Sequence, residues 1–131
     1  MDWVNKHLQV VPINTFIDPI FPVENAIITH AHADHAKPGH NNVLATKHTI
    51  EIMKIRYGEN CANNFQELSF NSPLNVNGVK VTFFPAGHIL GSAQVLLEYR
   101  KDKINFTGDF KITKDDTCLL YTSDAADERS W

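Results

Sequence analysis

Six consecutive residues, His30-Ala31-His32-Ala33-Asp34-His35, constrain this chain more than any other feature. Four of them can ligate a metal ion, and they follow an apolar, β-branched stretch that reads as a strand. In an extended segment residues i and i+2 point to the same side, so His30 and His32 can grip one ion. Asp34 and His35 come where the chain must turn, and a carboxylate beside an imidazole suits a second ion a few ångströms from the first. The strict alternation and the small Ala31 and Ala33 set the run apart from a tag-like or scattered set of histidines.

Such a site needs ligands from elsewhere, and two segments offer them. Pro85-Ala86-Gly87-His88-Ile89-Leu90-Gly91 sets a histidine just past a strand end between glycines that permit tight turns, which makes His88 the expected third ligand of the first ion. Phe106-Thr107-Gly108-Asp109 sets a carboxylate at another strand end, where Asp109 can bridge both ions. His7 and His48 have no such partners and read as structural or solvated. His40 has two open readings: lining the mouth of the site, where it would be a local general-acid candidate, or capping the turn after Pro38-Gly39.

The remaining pattern is dominated by short strands at residues 8–11, 15–18, 25–29 and 43–46. Asn77-Gly78 between residues 74–76 and 79–84 is a strong hairpin signal. A second hairpin is expected between residues 94–99 and 103–107, turning about Lys101-Asp102. Only residues 47–57 read as a helix, with Ile50, Met53 and Tyr57 on one face, Thr46 as N-cap and Gly58 as the stop. The expectation is an α/β (α+β) fold, β-rich, with one clear helix.

Composition removes several classes of function. The 43% apolar content is interrupted by charge throughout, so no stretch can span a bilayer, and the first residues lack the order of a secretory signal. The chain therefore reads as cytoplasmic, with no membrane partner. Cys61 and Cys118 are too few for a disulfide framework. A net charge of −3 argues against a broad basic surface for nucleic acid, yet two divalent cations would add positive charge at the one place a phosphate must sit.

With these residues in place, the chain resembles the metallo-β-lactamase-fold superfamily, whose His-x-His-x-Asp-His signature is met by His30, His32, Asp34 and His35. Residues 29–40, 84–94 and 106–118 look more narrowly like the ligase-associated DNA exonucleases, relatives of the β-CASP messenger-RNA 3′-end processing factors. The resemblance implies an αββα sandwich, of which residues 1–118 form the N-terminal half, followed by a tail at 119–131 that does not continue the family and reads as artefactual. It implies one ion on His30, His32 and His88, a second on Asp34 and His35, and Asp109 bridging, with Asp34 and Asp109 the catalytic carboxylates. Asp18 matches a family position that supports the cluster from behind, with Thr107 and Gly108 as further supports. The cofactors implied are two divalent ions, zinc first and manganese as the alternative. The activity implied is a metal-dependent phosphodiester hydrolase, a DNA exonuclease acting through a metal-activated water. RNA processing or another hydrolysis within the superfamily is the alternative, and a DNA ligase or helicase the implied associate. The third reading is an inactive, truncated fragment whose single sheet layer leaves an apolar face in water.

Overall fold

In a computed structural model the described residues are 3–31, 36–86, 92–106 and 112–114, the last by backbone alone. They form two five-stranded sheets and one α-helix. The first sheet runs β1 (Gln9–Val10), β2 (Thr15–Ile17), β3 (Asn25–Ile27), β4 (His40–Ala45) and β5 (Ala62–Glu67), in that spatial order. β1 pairs antiparallel with β2, and β2 to β5 are parallel. The second sheet is an antiparallel meander of β6 (Leu74–Val76), β7 (Val79–Pro85), β8 (Ala93–Tyr99), β9 (Asp102–Phe106) and β10 (Ile112–Lys114).

The helix α1 (Lys47–Tyr57) has the expected bounds and the expected caps. Thr46 Oγ1 accepts from Thr49 N at 3.4 Å, and Gly58, at φ 95°, closes the C-terminus through its N–H to Lys54 O. Asn77 (φ 47°) and Gly78 (φ 94°) take the left-handed conformations that a two-residue hairpin turn requires. The second hairpin turns one residue earlier than expected: Tyr99 pairs with Asp102, and Arg100, at φ 58°, takes the strained place. β5 and β10 were not expected from sequence, and Val11 leaves the first strand for a short 3-10 turn, Val11–Ile13, that Pro12 favours.

Alternation along the strands sends Ile17 and Ile27 from the first sheet, and Val81, Phe83, Val95, Leu97, Ile104 and Phe106 from the second, into one core between the sheets. This corrects the expectation of a single exposed layer: the apolar faces of the two sheets cover each other. The other face of the first sheet buries Ala26, Ile28, Val43 and Ala45 against Ile50 and Met53 of α1, together with Cys61. The described architecture is thus helix, sheet, sheet. Cys61 is a buried free thiol, as expected of it, while Cys118 and the whole of 119–131 lie outside the described residues. Among the described residues no helix is long and apolar enough to cross a membrane.

At the end of the parallel strands where β3 and β4 begin, amide side chains tie the sheet together. Asn64 Nδ2 donates to Asn42 Oδ1 at 2.8 Å, Asn42 Nδ2 to Asn25 Oδ1 at 2.8 Å, and Asn25 Nδ2 to the Asn14 carbonyl at 3.1 Å. Neighbouring residues point to the opposite face, and there Asn63 donates to Asn41, which donates to Glu24. The first ladder lines one wall of a cavity of about 560 Å³ between the sheets, opposite Leu74, Val76 and Val81.

The central rung carries two of these bonds. Asn42→Ala is expected to lower unfolding free energy by about 1–2 kcal/mol. Asn42→Asp should cost more, because a carboxylate cannot donate and would face the Asn25 oxygen. Urea denaturation of the three proteins checks the order.

Candidate metal centre

Parallel pairing gathers the C-terminal ends of β2, β3 and β4 at one edge of the sheet, the usual place for ligands in open parallel sheets. Asp18 leaves β2 there, at φ 48°, a left-handed conformation that aspartate tolerates better than most residues. Its N–H donates to Ile27 O at 2.9 Å, which seats it against the end of β3. The carboxylate then clamps Thr29: Oδ1 accepts from Thr29 N at 2.8 Å and Oδ2 from Thr29 Oγ1 at 2.7 Å. Asp18, Thr29 and His30 are 5%, 1% and 2% exposed, so these bonds form away from bulk water.

Thr29 Oγ1 also lies 2.9 Å from His30 Nδ1. A hydroxyl has one proton and a carboxylate only accepts, so Thr29 gives its proton to Asp18 and must accept from His30 Nδ1–H. The chain of bonds therefore selects one tautomer of His30 and leaves Nε2 as the lone-pair nitrogen. A metal-ligating histidine needs this arrangement, one ring nitrogen held as donor by a neighbour and the other able to bind. On donor chemistry the described part of the site fits a divalent ion.

The second sheet is tied to the same point. Ala93 N donates to Thr29 O at 2.7 Å, across the two sheets, and Ala86 N donates to Ser92 O at 3.0 Å. Ala86 and Ser92, the described residues before and after His88 in the chain, thus form a backbone pair, and Ala93 beside them bonds Thr29. Phe106, which precedes residues 107–111 with Thr107, Gly108 and Asp109, is the register partner of Val95, two residues from Ala93. Ala31, which precedes residues 32–35 with His32, Asp34 and His35, is 4% exposed, and its carbonyl accepts from Arg56 Nη1 of α1.

Of the expected ligands, His30 alone belongs to the described residues; His32, Asp34, His35, His88 and Asp109 lie outside them, as do Thr107 and Gly108. Among the described residues no three histidine, cysteine or carboxylate side chains gather into a metal cluster. Asp18 is brought to His30 through Thr29. Sequence reasoning missed Thr29 and Arg56. A threonine ending a β-branched run reads as strand, and an arginine in the last helical turn reads as a partner of the helix dipole.

His40 is carried elsewhere. The pairing of Ile27 with Leu44 sets Thr29 level with Thr46, six residues beyond His40, or roughly 20 Å along the strand at about 3.3 Å per residue. His40 therefore does not line the mouth of a site at His30, and it drops out as a local general acid. It is 1% exposed, its Nδ1 accepts from Val23 N at 3.2 Å, and its Nε2 finds no partner among the described residues. Burial holds its pKa below the ordinary histidine value. His7 and His48 are exposed, His48 lying 3.9 Å from Glu51 in the first turn of α1.

No family model matches the chain. In sequence it is similar to a probable DNA ligase of Opitutus terrae, 32% identical over 108 residues that make up 82% of this chain and 10% of that protein. The endoribonuclease YSH1 of Yarrowia lipolytica is 40% identical over 53 residues, 40% of this chain and 6% of its own length. An RNase J-like protein of Methanocaldococcus jannaschii is 30% identical over 111 residues, covering 66% of this chain and 25% of its own. The chain thus spans a tenth or less of the first two relatives and a quarter of the third.

Two outcomes follow from this geometry. In Asp18→Asn the Asn oxygen must face Thr29 N–H, so the amide group donates to Thr29 Oγ1 and turns its proton toward His30 Nδ1. The metal-free protein is expected to show His30 protonated at Nδ1, and the variant at Nε2, by long-range nitrogen–proton NMR. His40 gives the second. Its folded pKa lies below the unfolded one, so its contribution is whole above about pH 6.5 and is lost as pH falls from there, with a slope of at most about 1.4 kcal/mol per pH unit. His40→Asn keeps an acceptor for Val23 N–H and removes the proton site, so denaturation between pH 7 and 5 should show a shallower loss in the variant.

Proposed function

We propose that this chain, a member of the metallo-β-lactamase-fold nuclease family, carries a two-metal centre for phosphodiester hydrolysis at the edge where Asp18, Thr29 and His30 meet. The observation that supports it most is the buried relay from Asp18 through Thr29 to His30 Nδ1, which ties the ends of β2 and β3 together and holds an imidazole in the tautomer that binds a metal through Nε2. In this reading His30, His32 and His88 hold one ion, Asp34 and His35 the other, and Asp109 both. Thr107 and Gly108 are proposed as supports of the centre. Zinc suits a set of imidazoles and carboxylates, with manganese the alternative.

The chemistry such ions supply when bound is Lewis acidity, which acidifies water and offsets charge on a phosphate. The protein's own part is to keep the ligands in their binding states. Asp18 keeps Thr29 oriented, Thr29 keeps the proton on His30 Nδ1, and burial keeps water from competing for these bonds. Asp34 and Asp109 are the carboxylates proposed as catalytic, through the ions they would hold.

DNA is the substrate proposed because a probable DNA ligase is matched over 82% of this chain, and exonucleolytic cleavage is proposed on the resemblance of the motifs alone. RNA is the second reading, supported by the endoribonuclease and RNase J-like relatives. A ligase or helicase associate remains part of the DNA reading.

The test has two arms. Metal content of the purified protein should reach two equivalents of zinc or manganese and fall in His30→Ala and Asp109→Ala. Cleavage of end-labelled DNA should require the metal, exceed that of RNA of the same sequence, and drop at least about 100-fold in Asp109→Ala. Faster RNA cleavage selects the second reading; hydrolysis that survives both substitutions and chelation sinks both.

A further inference from the structure

We propose that Arg56 is a positioning residue for this centre, holding the carbonyl of Ala31, the residue that follows His30. The inference rests on the metal-centre reading above.

Arg56 lies in the last turn of α1, 25 residues from Ala31 in the chain, and its Nη1 donates to the Ala31 carbonyl. Ala31 lies past the end of β3, where among the described residues no strand ladder orients its peptide, and it is buried. A carbonyl in that position depends on a side chain for its direction. Arg56 has other options and does not take them. Glu59 is three residues on, yet Arg56 forms no ion pair with any described residue, and its guanidinium rests 5.9 Å from the Tyr57 ring centroid. An exposed helical arginine that directs its bond to a backbone oxygen across the fold is acting on that peptide.

The peptide matters because of where it stands. The direction of the Ala31 carbonyl fixes ψ at the residue between His30 and His32, and that torsion decides whether two imidazoles at i and i+2 converge on one point. Thr29 fixes the ring of His30 through Nδ1; Arg56 fixes the backbone that follows it. The planar guanidinium supplies a charge-assisted bond of defined direction, which a lysine ammonium on a flexible stem does not.

The experiment is a cobalt(II) titration of the full chain, read from the visible ligand-field spectrum, beside the melting temperature of the metal-free protein. Arg56→Met keeps the length and the apolar stem. It should weaken cobalt binding about 10-fold or more and change the spectrum, while the metal-free melting temperature stays close to the parent's. Unchanged affinity and spectrum overturn the proposal. If Arg56→Met also melts earlier without metal, Arg56→Lys decides. Stability recovered with affinity still reduced supports positioning, and joint recovery of both reduces Arg56 to a structural tie. A parent chain that takes up no cobalt overturns the centre itself, and this inference with it.

Discussion

One backbone hydrogen bond, from Ala93 N–H to the Thr29 carbonyl, joins the two sheets at the edge where the proposed centre lies. Thr29 uses every polar atom it has. Its N–H and hydroxyl hold Asp18 of the β2 end, its oxygen takes the His30 proton, and its carbonyl takes β8 of the other sheet. A shift of either sheet therefore reaches His30 through a side chain that is 1% exposed and cannot exchange partners with water. Metal ligands drawn from separate segments need that coupling, because an ion tolerates little spread in ligand position.

The opposite end of the same sheet shows how a polar cluster that is only structural differs. Each asparagine in the ladder from Asn64 through Asn42 to Asn25 donates to the next, and the series closes on a backbone carbonyl of Asn14. Amides are both donors and acceptors, so such a series satisfies itself. The series at the other end also donates one way, from His30 Nδ1–H to Thr29 Oγ1 and from Thr29 to Asp18, but it begins in an imidazole, whose ring carries a second nitrogen. The chemical group at which each series begins separates the two ends.

The local signals in the sequence carried far. Asn77-Gly78, Thr46 and Gly58 placed a hairpin and both ends of the helix, because each of these residues acts within a few positions of itself. β5 was illegible: Ala62-Asn63-Asn64-Phe65-Gln66-Glu67 has neither β-branching nor apolar alternation, and it is a strand because its asparagines fit rungs supplied by Asn41 and Asn42. His40 had two readings, and the structure favours the structural one. It follows the hexapeptide closely in the chain, but a parallel connection must return to the start of the next strand, and that return carries His40 the length of the sheet from His30. Proximity in sequence implies proximity in space across a hairpin and the reverse across a parallel crossover.

Parallel pairing also explains why the support of His30 was hidden while the candidate ligand itself was plain. A candidate ligand announces itself by residue type, since few roles need histidines in strict alternation. Its supports are common residues whose work depends on what the fold sets beside them. Thr29 is ordinary until β2 brings Asp18 to it, and Arg56 is ordinary until α1, laid back across the sheet, brings its guanidinium to Ala31. One bonds the His30 ring and the other the carbonyl of the residue that follows it, and they come from different layers of the fold. The hexapeptide can therefore be proposed as a metal motif from sequence alone. The setting of His30 depends on the sheets and the helix that bring Asp18, Ala93 and Arg56 to the residues beside it.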